Sequence, residues 1–351
     1  MKLSNDQIEF QDLLRRFLKE RVTPEYLQTR VKAGATVDPA LTAALVELGL
    51  DEGFQGKDAP FSVEEMGILA NECGRVLLPD PLIERLIASA LVPRLLEGGE
   101  HSKWLAATKE GAVVGVAFPA PCKITQDPLT SDAQRTTVSG QVEWYIDVSG
   151  AQALLAFCAT PDGERACLIR LSDQGVNSSS ENSLDLTLRL SKLELKGVYA
   201  TIFSLASTQA IENLLEAVYS SHLAGLSQAV VDLTCEYVKT RQQFGAPIGS
   251  FQAVQQQIAQ RYAEVEALSS LSRFAVWSAV NSKDQAGLTA RAAILQATVV
   301  APQTCEMAIQ AHGGIGFTWE YVLHLYLRRT RLYASAFALT ESRARELIGR
   351  I

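Results

Sequence analysis

Residues 241–257 read RQQFGAPIGSFQAVQQQ, and residues 310–321 read QAHGGIGFTWEY. In the first stretch, Arg241 carries a planar guanidinium that stays charged at any cellular pH and suits a pyrophosphate. In the second, Gly313 and Gly314 let the backbone approach a phosphate or ribose closely. Both patterns also have a plainer interpretation, since Arg241 suits a surface position before a helix and the glycines suit a helix C-cap. Because no predicted strand runs into the glycines, they are not a dinucleotide-binding GxGxxG motif.

Both stretches connect helices of a predicted C-terminal bundle. The helical period begins near Gln209 and continues to Val238, where the first long helix ends. A second helix is predicted from Phe251, a third over 287–309 and a fourth from Tyr321 onward. Long antiparallel helices with short connections favour a four-helix bundle.

Short runs of β-forming residues, separated by turn formers, occupy the middle of the chain. The predicted strands lie at 112–118, 136–140, 153–158 and 166–170. Several strands at this spacing indicate a small β-barrel or sandwich. The serine run that begins at Asn177 is interpreted as an exposed loop.

The first hundred residues carry the helical period again. Ser4 and Gln7 fit a capping box, and helices are predicted over 41–50, 63–78 and 81–96. The chain is therefore predicted to be mainly α with a central β domain. The predicted domains are an N-terminal helical domain (1–105), a middle β domain (106–204) and a C-terminal helical bundle (205–351).

Composition argues against several classes of function. The chain of 351 residues has a net charge of −7 and a pI near 5.3, whereas nonspecific nucleic-acid binding needs clustered positive charge. The sequence lacks a run of about 18 apolar residues and so predicts no membrane span, and its polar N-terminus predicts a cytoplasmic protein. The six cysteines are scattered and are interpreted as reduced thiols, and neither they nor the four histidines have metal-ligand spacing.

The order of helical, β and helical regions, together with both quoted stretches, resembles the flavin-dependent acyl-CoA dehydrogenases over essentially the whole chain. The stretch GRVLLPDPL, residues 74–82, is similar to bacterial members of this family. The resemblance implies FAD as cofactor and α,β-dehydrogenation of an acyl-CoA thioester, with electron-transfer flavoprotein as the electron acceptor. Because the family's flavin site is shared between subunits, the resemblance also implies an oligomer, either a dimer or a dimer of dimers.

The resemblance assigns roles to individual residues of the two stretches. It places Arg241 on the pyrophosphate of a flavin held mainly by a neighbouring subunit. Phe244 and Gln252 then lie against the adenosine half of that flavin. The second half of the same site consists of three residues near the end of the third helix of the bundle: Gln310, Gly313 and Gly314.

The middle domain departs from the family pattern. The family usually carries Thr-Glu-Pro followed by Gly-Ser-Asp, which meet the flavin ring and the substrate, whereas residues 117–122 read AFPAPC here. Trp144 matches the aromatic residue that packs near the flavin ring, although a barrel-core position explains it equally well. The resemblance therefore implies an eroded site for the chain's own flavin ring and intact contacts for a neighbour's flavin.

The catalytic base is the second departure. Many members place a glutamate just before Gly-Thr, but no acid stands at 336–338, and Glu341 is interpreted as a solvated helix residue. Other members place the base on the long helix before Arg-Phe-Gly. There Glu216 is the nearest acid, one residue out of register with Arg241, which rotates its side chain by roughly 100°. Glu216 is thus the candidate base, with an exposed or ion-paired glutamate as the alternative. His222 on the same helix could face the acyl pocket or be structural.

Three hypotheses about function follow. The chain is a homo-oligomeric enzyme that uses Glu216 or another base, or it is the degenerate partner in a heteromeric α2β2 dehydrogenase. Such heteromers occur in the family among enzymes for bulky steroid-side-chain or dicarboxylic thioesters, and the missing base and Thr-Glu-Pro favour this version. The third hypothesis is a nonredox scaffold that has lost the cofactor, against which the intact Arg241, Gln252 and Gln310 argue.

Overall fold

The structure of the protein is a computed structural model, which describes residues 2–34, 38–54, 59–96, 98–108, 112–118, 122–127 and 136–337. Helices lie before residue 108, strands between 114 and 202, and helices again from 205. The prediction of a mainly α chain with a central β region is confirmed, and the domain boundaries stay predictions. Within these ranges, no helix is both long and apolar enough to cross a membrane.

The first N-terminal helix begins at a capping box. Ser4 Oγ accepts a hydrogen bond from the N–H of Gln7 at 3.2 Å, and the Gln7 side chain accepts from the N–H of Ser4 at 3.1 Å, which confirms the capping box. The helix predicted over 81–96 is divided by a π-helical turn, Ile87–Leu91, because Pro93 has no N–H to continue the regular ladder. The helices are α1 (Asn5–Arg21), α2 (Pro24–Lys32), α3 (Pro39–Glu47), α4 (Leu50–Phe54), α5 (Val63–Arg75), α6 (Leu82–Leu86), α7 (Val92–Leu95) and α8 (Gly99–Ala107).

The strands of the middle region form a closed barrel with two additional strands. The strands are β1 (Val114–Val116), β2 (Cys122–Gln126), β3 (Thr136–Ile146), β4 (Ala153–Thr160), β5 (Gly163–Arg170), β6 (Val176–Glu181) and β7 (Leu190–Ile202). Pairing runs β4–β2–β3–β7–β5 and returns from β5 to β4, while β1 pairs with β4 and β6 with β7. Side chains such as Ile124, Val142 and Leu193 fill the interior. The predicted small barrel is confirmed.

The serine run, predicted as a loop, is a strand. It lies within β6, which is exposed along most of its length and pairs antiparallel with β7 from Leu195 to Leu190. Hydrogen bonds to β7 define this strand. Because both of its faces are polar, it lacks the apolar–polar alternation by which a strand is recognised in sequence.

The C-terminal helices form the predicted bundle around one central helix. They are α9 (Leu205–Thr240), α10 (Gln252–Asn281), α11 (Lys283–His312) and α12 (Leu323–Phe337). Gly225 lets α9 touch α5 backbone to backbone, since a Cβ there would lie 1.9 Å from Asn71 O. A short hairpin, β8 (Gln242–Gln243) and β9 (Ala246–Pro247), links α9 to α10, and a 3-10 turn, Gly313–Phe317, follows α11. These connections are the two stretches from which the family resemblance came.

A buried ion pair joins the bundle to the other two regions. Arg329 on α12 and Asp185, between β6 and β7, are 1% and 0% exposed, and Arg329 Nε donates to the Asp185 carboxylate. Arg329 Nη2 also donates to Thr187 Oγ1 at 2.6 Å and to Leu78 O at 3.3 Å. One guanidinium therefore links α12, the β region and the N-terminal region.

Candidate functional site

The two stretches quoted at the outset lie at the same end of the bundle, which we call the bundle end (residues 241–252 and 310–321). Arg241 caps α9, its N–H donates to Tyr237 O at 2.9 Å, and the residue is exposed. Tyr237 stacks on His312 with ring centroids 4.0 Å apart, which holds the end of α9 against the end of α11. The structure thus brings together the two stretches that the sequence predicts to form one site.

Phe244 occupies the turn of the β8–β9 hairpin in an unfavourable backbone conformation. Its φ is 54° and that of Gly245 is 79°, a pattern for which two-residue hairpin turns strongly prefer Asn-Gly. The ring is 94% exposed, and among the described residues its aromatic neighbour is Phe251, with centroids 6.1 Å apart. Packing among the described residues does not explain an aromatic residue at this strained position.

The other residues that are predicted to contact the cofactor lie on an open polar surface at the bundle end. Gln252 begins α10 and Gln310 lies in the last turn of α11, and both are exposed. Gly313 ends α11 with a φ of 66°, so its C-cap role holds. A Cβ at Gly314 would meet no described atom within 4 Å, so the described part of the chain gives no steric reason for this glycine.

These residues fit the pyrophosphate–adenosine half of FAD. In the part of the chain that the structure describes, Arg241 has no carboxylate within ion-pair distance, so its donors are available to a diphosphate. The exposed Phe244 ring offers a face to adenine, and Gln252 and Gln310 can each donate and accept. The individual cofactor contacts stay predictions.

Glu216, the candidate base, is buried in an ion pair between α9 and α11. It is 1% exposed, and Arg291 Nε on α11 lies 3.1 Å from its Oε2. This geometry fits the ion-paired alternative, since a guanidinium offsets the cost of burying a charged carboxylate. The catalytic role of Glu216 stays a prediction.

His222 lies in the core as a neutral ring. It is 2% exposed, its Nδ1 lies 3.3 Å from Ala70 O, and its Nε2 lies 3.4 Å from Arg329 Nη1. Burial and the charge of Arg329 lower the pKa of His222 to about 3. A neutral ring that donates from Nδ1 to Ala70 and accepts at Nε2 from Arg329 satisfies both contacts. The geometry therefore fits the structural alternative.

Aromatic rings fill the region where the resemblance expects the substrate-side residues. Phe118 belongs to the segment that replaces Thr-Glu-Pro, Phe337 lies at the place of the missing base, and their ring centroids are 5.6 Å apart. Tyr219 on α9 lies 6.1 Å from each of them. Together with Phe157 and Tyr333 these residues form what we call the ring cluster, and none of them is more than 5% exposed.

The ring cluster borders Glu84, a buried carboxyl that sequence reasoning missed. Tyr219 Oη donates to Glu84 Oε1 at 3.1 Å and Tyr333 Oη donates at 3.4 Å, and Glu84 is 3% exposed. Burial raises the pKa of Glu84. The sequence did carry a signal, because Glu84 stands beside the apolar Leu82 and Ile83 in a helix that is buried with it.

Trp144 lies on β3 at the boundary between the barrel and the helices. Its half-buried side chain packs against both the barrel interior and the larger helical core. This position fits a flavin-ring contact and a barrel residue equally, so its cofactor role stays a prediction. Residues 119–121, Ala338 and Glu341 lie outside the described ranges.

Comparisons with known sequences agree with this architecture. Residues 217–350 match the family model described as acyl-CoA dehydrogenase, C-terminal domain. Acyl-CoA dehydrogenase FadE34 of Mycobacterium tuberculosis is 30% identical over 275 residues, which are 76% of this chain and 35% of FadE34, so the chain spans about a third of that relative. Acyl-CoA dehydrogenase IpdE2 of the same organism is 30% identical over 268 residues, which cover 76% of this chain and 70% of IpdE2.

A solved structure extends the similarity to the whole fold. The Tcur3481-Tcur3483 steroid ACAD superimposes with a TM-score of 0.84 at 25% identity, over 98% of this chain and 98% of that chain. The similarity therefore includes the N-terminal helices, the barrel and the bundle. With IpdE2 matched over more than two thirds of its length, the chain belongs to the acyl-CoA dehydrogenase family of flavin-dependent oxidoreductases.

Proposed function

We propose that this chain is one subunit of an FAD-dependent acyl-CoA dehydrogenase, and that its bundle end contacts a flavin held mainly by a neighbouring subunit. The reaction is the α,β-dehydrogenation of an acyl-CoA thioester. The observation that carries the proposal is a contrast within the chain. Arg241 is exposed without a carboxylate partner among the described residues, whereas the ring cluster fills the chain's own substrate-side region.

The bundle end would hold the phosphate side of the cofactor. The Arg241 guanidinium can donate two parallel hydrogen bonds to the diphosphate, and hydrogen bonds to a charged group are worth about 1.5–3 kcal/mol each. Phe244 presents its ring beside this charge, and the Gly314 backbone is open to close approach. All of these groups face outward, as contacts to a neighbour's flavin require.

Among the described residues, aromatic side chains fill the region where the resemblance expects the substrate and the base. Dehydrogenation requires a carboxylate that removes the proton from the α-carbon, in a space from which water is excluded. When bound, FAD supplies the acceptor for the hydride that leaves the β-carbon. In this chain Phe118, Tyr219 and Phe337 pack ring against ring in that region. We therefore assign the base and the acyl pocket to the partner subunit.

The names of similar proteins support the reaction type. FadE34 and IpdE2 are named acyl-CoA dehydrogenases, and the solved structure is described as a steroid ACAD under two protein names. These descriptions favour a heteromeric assembly and a bulky acyl group for this chain. Electron-transfer flavoprotein would then accept the electrons from the reduced flavin.

A self-sufficient enzyme is the second candidate, and Glu84 is the observation that favours it. A buried carboxyl with a raised pKa is the kind of group that general acid–base catalysis uses. Glu84→Gln keeps the shape of the side chain and removes the base, so it should lower kcat of such an enzyme by at least about 100-fold. Glu216→Gln tests the other candidate base in the same assay of acyl-CoA-dependent dye reduction.

The test compares the purified chain alone with the chain co-expressed with the product of the adjacent gene. We expect the isolated chain to carry little FAD, and the complex to carry FAD that bleaches when a suitable acyl-CoA is added. Absorbance near the flavin maximum measures both. A yellow homo-oligomer with rapid turnover would contradict the partner role.

Arg241→Ala then tests the flavin contact within the complex. Flavin content should fall, because the diphosphate loses its cation. Arg273→Ala is the matched control, since Arg273 is also exposed and has no carboxylate partner within the described ranges. Unchanged flavin content and assembly in Arg241→Ala would favour the scaffold hypothesis.

A further inference from the structure

His312 belongs to the second stretch of the bundle end and packs against the end of α9. It directly precedes Gly313, is 4% exposed, and stacks on Tyr237 with centroids 4.0 Å apart and planes at 21°. Tyr237 lies one helical turn before Arg241, and its carbonyl accepts the Arg241 N–H at 2.9 Å. The ring pair therefore joins the helix end that carries Arg241 to the helix end that carries the glycines.

Hydrogen bonds fix the orientation of the His312 ring. Its Nδ1 lies 2.7 Å from Ala308 O, and because a carbonyl only accepts, Nδ1 carries the proton. Nε2 then accepts from the Tyr321 hydroxyl at 3.1 Å, and the Tyr237 hydroxyl donates to His312 O at 3.3 Å. Burial lowers the pKa of His312, which favours the neutral ring that this arrangement requires.

The residues expected to meet the cofactor cannot fix their own positions by burial. Arg241, Phe244, Gln252 and Gln310 are all exposed. A recognition site built from exposed residues on separate segments keeps its geometry only if the segments themselves are held in place. In the bundle end, His312 is itself buried, belongs to the second segment, and stacks on Tyr237, one helical turn before the first segment.

We propose that His312 is the positioning residue of the flavin-contacting site. Stacked on Tyr237 and hydrogen-bonded to Tyr321, it sets the distance between Arg241 and the Gly313–Gly314 backbone. His312 acts through these neighbours and does not touch the cofactor. The proposal rests on the proposed function, because it takes the bundle end to be the surface that contacts FAD.

Two variants test the positioning role without relying on turnover. His312→Phe keeps a planar ring for stacking and removes both ring hydrogen bonds, and Tyr321→Phe removes one of them. In the full chain without flavin, amide hydrogen exchange over 241–251 and 313–321 should become about five- to tenfold faster, with the barrel strands unchanged. In the co-expressed complex, the Kd for FAD should rise by a similar factor.

Matched variants separate positioning from general stability. His312→Gln, whose amide can both donate and accept, should recover part of the protection and of the FAD affinity. His101→Phe is the control, because His101 Nδ1 also contacts a backbone carbonyl, that of Pro93 at 2.9 Å, but lies on α8. It should leave the bundle end unchanged.

Each outcome distinguishes this proposal from the proposed function. If Arg241→Ala leaves FAD binding unchanged, the proposed function fails. If Arg241→Ala weakens binding while His312→Phe and Tyr321→Phe change neither exchange nor Kd, the positioning role alone is wrong. Faster exchange throughout the chain, barrel included, would show a general structural role and overturn it as well. Should His312→Phe fail to fold, Tyr321→Phe provides the same readout.

Discussion

The bundle end and the ring cluster use similar residue types in opposite ways. At the bundle end, Arg241 and Phe244 are exposed, and contacts with the rest of the described structure do not explain either of them. In and beside the ring cluster, Arg329 and Phe337 are buried, Arg329 pairs with Asp185, and Phe337 packs against other rings. An arginine or aromatic residue that is buried and makes its contacts within its own chain stabilises the fold. One that is exposed, and whose position the described contacts do not explain, is the better candidate for binding a ligand or partner.

The largest expected effect comes from removing the carboxylate that pairs with the buried Arg329. Asp185→Ala leaves Arg329 buried without its counter-charge, which should lower the free energy of unfolding by about 3–5 kcal/mol. The midpoint of urea unfolding, followed by circular dichroism, measures the change. Asp162→Ala, in the exposed turn between β4 and β5, is the control and should stay within about 0.5 kcal/mol. A loss below about 1 kcal/mol would mean that the interior arginine is not held by this pair.

The next largest effect concerns the exposed Arg241. Its substitution should change the affinity for FAD and not the stability of the fold. Arg241→Ala should weaken FAD binding by the complex about 10- to 100-fold, because the diphosphate loses charge-assisted hydrogen bonds. The unfolding midpoint of the chain should stay nearly unchanged. Flavin titration of the apo complex gives the affinity.

Arg241→Lys sharpens the same experiment. Lysine keeps the charge and loses the planar fork, so its affinity should fall between those of the native chain and the alanine variant. Equal affinities for the lysine and native proteins would show that charge alone is recognised.

The sequence predicted the bundle end better than the ring cluster, and the reason is physical. The helical period of α9 is long and placed its end at Val238, two residues before the observed end at Thr240. The bundle-end stretches are contiguous, so their residues could be seen together. Phe118, Tyr219 and Phe337 come from separate parts of the chain, and tertiary packing alone brings their rings into contact.

Glu84 was missed for a related reason. A single acid in a short apolar helix has no local partner, and its tyrosine donors lie on two distant helices. Glu216 was found by its distance along the chain from Arg241, but sequence spacing did not reveal its pairing with Arg291. Long-range pairing of buried charges leaves no periodic signal in a single sequence.

Phe244→Asn should change stability and binding in opposite directions. Asparagine tolerates the positive φ of this turn, so the chain should gain about 1 kcal/mol of stability. The FAD complex should lose affinity, because the ring that we propose faces the cofactor is gone. Unfolding midpoints and flavin titration measure the two effects.

Phe251→Leu is the control for that prediction. It removes the ring that Phe244 contacts and leaves the strained turn unchanged, so it should bring no gain in stability. If Phe244→Asn instead destabilised the chain, Phe244 would serve the fold, and the contrast between the two regions would fail at this residue.

The smallest effect is a dependence on pH that comes from Glu84. Burial raises the pKa of Glu84, so the folded chain holds this proton more tightly than the unfolded chain, whose glutamates titrate near 4.3. The stability that this proton contributes is full below about pH 4.3 and is lost as pH rises through the folded pKa. Glu84→Gln stays neutral at every pH, and its oxygen can still accept from Tyr219.

The stability of Glu84→Gln relative to the native chain should therefore increase with pH, as urea midpoints between pH 4 and pH 8 would show. Tyr219→Phe provides the matched comparison, because the Tyr219 hydrogen bond lowers the pKa of Glu84 and its removal should strengthen the native pH dependence. A difference between Glu84→Gln and the native chain that stays constant over this range would mean that Glu84 is not held neutral. In that case the region around the ring cluster would contain a charged carboxylate. Its description as a closed, apolar interior, in contrast to the bundle end, would then be wrong.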